Sequence, residues 1–160
     1  MVIPSRIDNK TVTKIGIVAF ATKNPYTGET LNEGIIDSVV IPNTVTTIEY
    51  GAFSSNQLTS VELGDSLTSI GPFAFYSNQL TSVTIPNSVT TIESGAFSGN
   101  KLTSVSIPNS VTTIGIHAFE YNKLKTVTIG SGITSIGFWA FDNGTFTDSE
   151  TGITWGVKCP

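Results

Sequence analysis

Charge is scarce in this chain. Only 12% of its 160 residues are Asp, Glu, Lys or Arg, about half the share usual in soluble domains. Eight basic residues, scattered, against twelve acidic ones leave a net charge of −4. That balance excludes a partner held mainly through phosphates, because nucleic-acid binders gather Lys and Arg on one face. Cysteine is limited to Cys159, beside the terminal Pro160, so no disulfide framework or thiolate metal cluster can form within one chain. A single histidine, His117, excludes a multi-histidine zinc site. No stretch approaches about 18 consecutive apolar residues, so no membrane insertion is expected. The opening Met1-Val2-Ile3-Pro4-Ser5 lacks the basic and apolar regions of a signal peptide. The targeting signal of a secreted parent is therefore expected outside this chain.

What the chain has is repetition. Its apolar content of 39% suffices for one domain with a sizeable core, and its polar positions are filled by Thr, Ser, Asn and Gly. One phrase recurs every 22 residues, in units that start at Ile36, Leu58, Leu80, Leu102 and Leu124. Residues 80–101, LTSVTIPNSVTTIESGAFSGNK, are the cleanest copy. A fixed period of this length is the mark of a solenoid.

Within that copy, alternation across residues 80–85 places Val83 and Ile85 on one face of a strand. Pro86-Asn87 ends it, as do Pro42, Pro108, Gly64 and Gly130 in the other units. The β-branched run Val89-Thr90-Thr91-Ile92 predicts a short second strand. A three-residue variable patch follows, then an unvarying Ala-Phe pair and an Asn. Gly71-Pro72-Phe73, with Gly and Pro where a helix takes its cap and first position, predicts a single helical turn through Phe75. The expected fold is therefore a β-rich α/β solenoid, a right-handed stack with parallel strands and one short helical turn per coil.

Stacking follows from burial. One coil cannot enclose its own apolar side chains, whereas stacked coils cover one another's. Columns such as Ile48, Ile70, Ile92, Ile114 and Ile136, or Phe53, Phe75, Phe97, Phe119 and Phe141, should form a continuous core. Asn56, Asn78, Asn100 and Asn122 form another column, read as inward amides that satisfy turn backbone groups of the adjacent coil.

Both ends depart from the pattern. Residues 1–35 contain an irregular first unit, with Val2-Ile3-Pro4-Ser5 and Val12 to Phe20 matching its two halves. It carries insertions at residues 6–11 and about 21–35, the second holding a turn at Asn24-Pro25-Tyr26-Thr27-Gly28. Residues 36–145 hold the five regular repeats. Residues 146–160 contain two β-prone stretches around Asp148 to Gly152, read as a hairpin cap. All three parts make one continuous domain.

The I-P-N-S-V-T-T-I phrase, the Ala-Phe pair and the period resemble the BspA-like leucine-rich repeats of the treponemal class. Asn replaces the frequent Cys here, and 22 residues replace the common 23. The resemblance implies a bacterial, secreted or cell-surface protein that acts in adhesion or host-protein binding, with no catalytic motif and no cofactor.

Nothing in the sequence assembles an active site. His117 sits in a variable slot that holds Gly51, Phe73, Gly95 and Trp139 elsewhere, with no nucleophile partner at a defined spacing. Glu49 and Glu93 share a column two coils apart, roughly 10 Å at about 4.8 Å per coil, but on an open surface where both read as solvated charges. Gly130-Ser131-Gly132 lacks the Lys of a phosphate loop. Asp142, Asp148 and Glu150 do not have the spacing of a calcium loop and read as a polar cap. Asn9-Lys10-Thr11 and Asn143-Gly144-Thr145 match the glycosylation pattern, which has no force in a bacterial source.

Repeats carry function where they differ. The variable slots contribute Tyr50, Phe73, His117, Phe138 and Trp139, and Tyr76 and Tyr121 lie just past the Ala-Phe pair. Exposed aromatics are over-represented at interfaces, so these seven residues form the candidate partner-binding column. Phe138 and Trp139 could equally seal the C-terminal end beneath Trp155. A second surface is the hydroxyl-rich strand face of Ser38, Ser60, Ser82, Ser104 and Thr126. The expected partner is a host-matrix or cell-surface protein. Alternatives are a structural spacer or stalk, and the receptor-recognition domain of a toxin or phage-tail protein. Ice binding is raised by the column Thr46, Thr68, Thr90, Thr112 and Thr134, although those hydroxyls could instead bond turn backbones.

Overall fold

The computed structural model describes residues 1–31 and 35–141 in full, and residues 145–147 and 154–156 by their backbone. Its spine is a six-stranded parallel sheet made from the second strand of each coil: Lys14–Ile15, Thr47–Ile48, Ser69–Ile70, Thr91–Ile92, Thr113–Ile114 and Ser135–Ile136. Each strand is only two residues long because its coil must turn at both ends. Register follows the repeat, with Ile70 beside Ile92 and Ile92 beside Ile114. The longer step from Ile15 to Ile48 absorbs the second insertion.

The first strands form two separate parallel pairs, Ser38–Val40 with Ser60–Glu62 and Ser104–Ile107 with Thr126–Ile129. Residues 80–85, the stretch with the cleanest alternation, form no strand. Ile85 is nonetheless buried and Val83 packs against the core. The alternation therefore reports which side chains face inward, and the strand that should follow from it does not form in this coil.

The expected helical turn is absent: none of the described residues is helical. The Ala-Phe segment is instead a chain of tight turns, and its hydrogen bonds show why. In the first regular coil Ala52 N and Ser54 N donate back to Glu49 O and Gly51 O, three residues earlier. The alternate groups Gly51 N, Phe53 N and Ser55 N donate across to Pro72 O, Ala74 O and Tyr76 O of the next coil at 2.8 Å each. A helix must keep its N–H groups for its own carbonyls. Here every second one serves the neighbouring coil.

The core runs along the axis. Phe53, Phe75, Phe97 and Phe119 are fully buried, and successive rings stack nearly parallel with centroids 5.3–5.4 Å apart. Phe20 and Phe141 extend the stack at its two ends, at 5.2 and 5.3 Å. Ile48, Ile70 and Ile92 and the Leu58, Leu80 and Leu102 column are also fully buried.

The first insertion is a small hairpin, as is the described part of the second. Arg6–Ile7 pairs antiparallel with Lys10–Thr11, around Asp8 and Asn9 in the left-handed region, as a tight two-residue hairpin turn requires. In the second, Asn24 Oδ1 accepts from Tyr26 N and Thr27 N, while Lys23 bridges Thr30 antiparallel. Near the C-terminus, Thr145–Thr147 pairs antiparallel with Thr154–Gly156, and the first of these strands lies against Thr126–Ile129. Asp142, Asn143, Asp148, Glu150 and Cys159, and the side chain of Trp155, lie outside the described residues.

Candidate functional site

Two ladders of polar side chains lock the turns that display the variable residues. In the Asn column, Asn100 donates from Nδ2 to Phe75 O at 2.9 Å and Phe97 O at 3.0 Å, and its Oδ1 accepts from Leu80 N at 3.1 Å. Asn56, Asn78 and Asn122 make the equivalent bonds. Each amide thereby ties its own turn to the coil before it. The exposed Thr column works in the same direction: Thr68, Thr90, Thr112 and Thr134 each donate from Oγ1 to the carbonyl of the preceding Thr at 3.0–3.2 Å. Their hydroxyl protons are spent on the scaffold.

The variable slot has a conformational rule that explains its composition. Gly51, Phe73, Gly95, His117 and Trp139 all have φ between +54° and +64°. Glycine takes that left-handed conformation without strain. For a bulky L-residue it costs roughly 1–2 kcal/mol. A second left-handed position four residues later holds Ser55, Ser77, Gly99 and Tyr121. The alternation of Gly with Phe, His and Trp was thus a signal of backbone geometry as well as of a variable surface.

The structure divides the seven candidates into two groups. Tyr50, Phe73 and Tyr76 are half-buried and share a cluster with Tyr26, which lies in the second insertion and outside the repeat columns. Tyr26 stacks on Tyr50 at 5.3 Å, and Phe73 meets Tyr26, Tyr50 and Tyr76 edge-on at 5.3, 6.0 and 5.6 Å. The cluster docks the second insertion onto the coils. Burial, together with the neighbouring Tyr26 phenol, pushes the Tyr50 phenol above its ordinary value, and its buried hydroxyl has no partner among the described residues.

The second group lies two coils on. His117 meets Trp139 edge-on at 5.7 Å, and its Nδ1 lies 2.8 Å from Glu120 Oε2. The approach is close enough for an ion pair when the imidazole is protonated, but it is not aligned as a hydrogen bond. Tyr121, Phe138 and Trp139 are exposed. Between the two groups the coil of residues 80–101 has only small residues at these positions, Ser94 and Gly99 half-buried and Gly95 and Ser98 buried. Of the paired acids, Glu49 accepts from Lys14 Nζ at 2.9 Å.

Gly95 shows why the slot cannot be filled everywhere. A Cβ built there would lie 2.5 Å from the Phe73 ring, so the ring occupies the space a side chain would need. Gly95→Ala is expected to destabilise the fold by about 1–2 kcal/mol, from left-handed strain alone, and to displace Phe73. Thermal melting checks the first effect, and near-ultraviolet circular dichroism of the Tyr–Phe cluster checks the second.

The family model for the BspA type leucine rich repeat region matches residues 28–147 in six copies. No curated protein matches the sequence. Three solved structures share the fold. A leucine-rich repeat protein from Eubacterium ventriosum is 23% identical, with a TM-score of 0.64 over 76% of this chain and 36% of that one. The Treponema pallidum leucine-rich repeat protein is 21% identical, with a TM-score of 0.59 over 85% and 67%. The pneumococcal vaccine antigen PcpA is 18% identical, with a TM-score of 0.53 over 88% and 57%. This chain spans about a third to two thirds of the length of these proteins.

Proposed function

The chain belongs to the BspA-type leucine-rich repeat family, and from that premise we propose that it is a non-enzymatic protein-binding or cell-adhesion module of a larger secreted or surface protein. The observation that carries this reading is the occupancy of the left-handed slot. Gly51 and Gly95 show that the fold is satisfied by glycine there, yet His117 and Trp139 hold large rings in the same conformation at a cost in stability. Strain accepted at a recurrent position, with the side chain displayed rather than needed in the core, supports a role in contact with another molecule. Tyr121 adds an exposed phenol at the second left-handed position. Rings fixed by such backbone geometry lose little freedom on binding, which favours recognition by a rigid aromatic patch.

The neutral surface fits a protein partner better than a polyanion. His117, Phe138 and Trp139 would form one end of the contact and Tyr50, Phe73 and Tyr76 the other. The test is binding to a panel of purified matrix and cell-surface proteins, with Tyr76→Ser and Tyr121→Ser as probes. A ring at the centre of an interface contributes about 2 kcal/mol or more. Loss of either ring should therefore weaken binding roughly 30-fold and loss of both by more, with circular dichroism verifying that the double variant still folds. Equal binding by parent and variant removes the aromatic face from the interface. Failure of the parent to bind any of the proteins saturably would instead favour a spacer.

A further inference from the structure

The first-strand face is interrupted in the middle of the solenoid, and we propose that the molecule bends there as two rigid blocks hinged on the second-strand spine. On that face the coils that start at Ile36 and Leu58 pair at three positions, and those that start at Leu102 and Leu124 pair at four. Ser82, Val83, Thr84 and Ile85, in the coil between them, make no backbone bond to either neighbour among the described residues. From the second strand onward the stitching is unbroken. Thr91–Ile92 pairs on both sides, Phe75 N donates to Ala96 O and Phe97 N to Ala118 O, and the Asn ladder runs through. The middle coil is therefore fixed on one side and open on the other. Packing is looser at the same place: Val61, Leu63 and Val83 are half-buried, whereas Val39, Ile41, Val105 and Ile107 of the same two columns are buried.

The corner residue that ends the first strand accounts for where the gap falls. Gly64 and Gly130 hold this corner in the two coils that pair with the coil before, and a Cβ built at either would lie 2.6 Å from the backbone of Pro42 or Pro108 there. Only glycine admits that approach. The corners are also tied at these two junctions alone among the described residues, with Asp65 N donating to Asn43 Oδ1 and Ser131 N to Asn109 Oδ1. Gly130 N adds a bond to Ile107 O at 2.9 Å. Pro86 and Pro108 lack both the room and the N–H, and their first strands pair with nothing before them. Pro42 follows the same rule, since its coil meets the irregular first unit through a single bridge, Val2 with Val40. A face without its ladder opens at low cost, while the side that keeps its bonds serves as the axis. Tyr50, Phe73 and Tyr76 lie on one side of the middle coil and His117 and Trp139 on the other, so bending changes the angle between the two aromatic groups.

Distances between spin labels test the hinge in the whole chain, with Cys159 replaced by Ser. Labels at Asp37→Cys and Lys125→Cys span the first-strand face, and labels at Thr46→Cys and Thr134→Cys span the second-strand side, all at exposed positions. Each pair lies four coils apart, roughly 20 Å at about 4.8 Å per coil. The first pair should give a distance distribution about twice as wide as the second. Pro86→Gly with Pro108→Gly supplies the corner that the paired coils have. In that double variant the amides of Ser82, Val83 and Thr84 should exchange about tenfold more slowly, the protection of one restored backbone bond of ordinary net strength. The first distribution should then narrow to the width of the second. Circular dichroism would verify that every labelled and substituted chain folds, and the parent distributions decide the hinge even where the double variant does not. Equal widths in the parent overturn the hinge. So does a first distribution that stays wide once those amides are protected, because the gap is then not its cause. Amides that remain unprotected in a folded double variant overturn the corner prolines as what keeps the face open. No partner enters these measurements, so the hinge and the binding reading fail independently.

Discussion

Phe97→Ala is expected to destabilise the protein by about 3–5 kcal/mol, the range for a buried Phe whose cavity its surroundings cannot refill. The stack makes refilling difficult. Phe97 is fully buried, with Phe75 and Phe119 each 5.3 Å away on opposite sides. Those rings cannot move inward without breaking the cross-coil bonds of Phe75 N to Ala96 O and Phe97 N to Ala118 O, at 2.8 and 2.7 Å. The void therefore persists between two coils. In a solenoid each coil contacts only its neighbours, so the loss falls on two interfaces at once. Phe20, at the first position of the stack and only partly buried, has one ring neighbour, and Phe20→Ala should cost clearly less. Urea denaturation of both variants checks the order. Equal losses would mean that the rings contribute by size alone and that the stack does not couple the coils.

The period alone made this core legible. A column of Phe at a 22-residue spacing can be buried only if the coils stack in register, and the observed pairing of Ile70 with Ile92 and Ile92 with Ile114 is that register. The second strand was legible because Thr-Ile pairs are β-branched and too short for anything else. The helical turn was misread because helix signals are local, whereas the fate of Gly51 N, Phe53 N and Ser55 N depends on the next coil. No pattern within seven residues contains that information. The first strand of residues 80–85 was misread for the opposite reason, since alternation fixes which side chains face inward without requiring a strand. At the candidate site, the variable slot was visible from the repeat, and its alternation with Gly could have been read as a left-handed backbone. Tyr26 could not be placed, because an insertion has no equivalent in the other coils to show where it lands.

Asn100→Leu and Asn100→Asp should separate the two things that the Asn column does. Leu fills the space but leaves Leu80 N, Phe75 O and Phe97 O without their bonds. At about 1–3 kcal/mol for each buried group left unsatisfied, the expected loss is roughly 3 kcal/mol or more, with little dependence on pH. Asp preserves the shape and can still accept from Leu80 N, but an ionised carboxylate presents only acceptors to Phe75 O and Phe97 O. The site is buried, so the charged form is disfavoured and the folded-state pKa of the new Asp should rise above its unfolded value of about 3.9. A group with a raised folded pKa binds more protons when folded. Its stability is therefore greatest below about pH 3.9 and falls as pH rises toward the folded value. Protonated Asp carries one O–H and can replace one of the lost donations, so Asn100→Asp should be much weaker than the parent at pH 7 and recover part of the difference near pH 3. Denaturation at both pH values decides it. If Asn100→Asp matches the parent at pH 7, the two carbonyls do not need the amide protons, and Leu80 N–H alone accounts for the column.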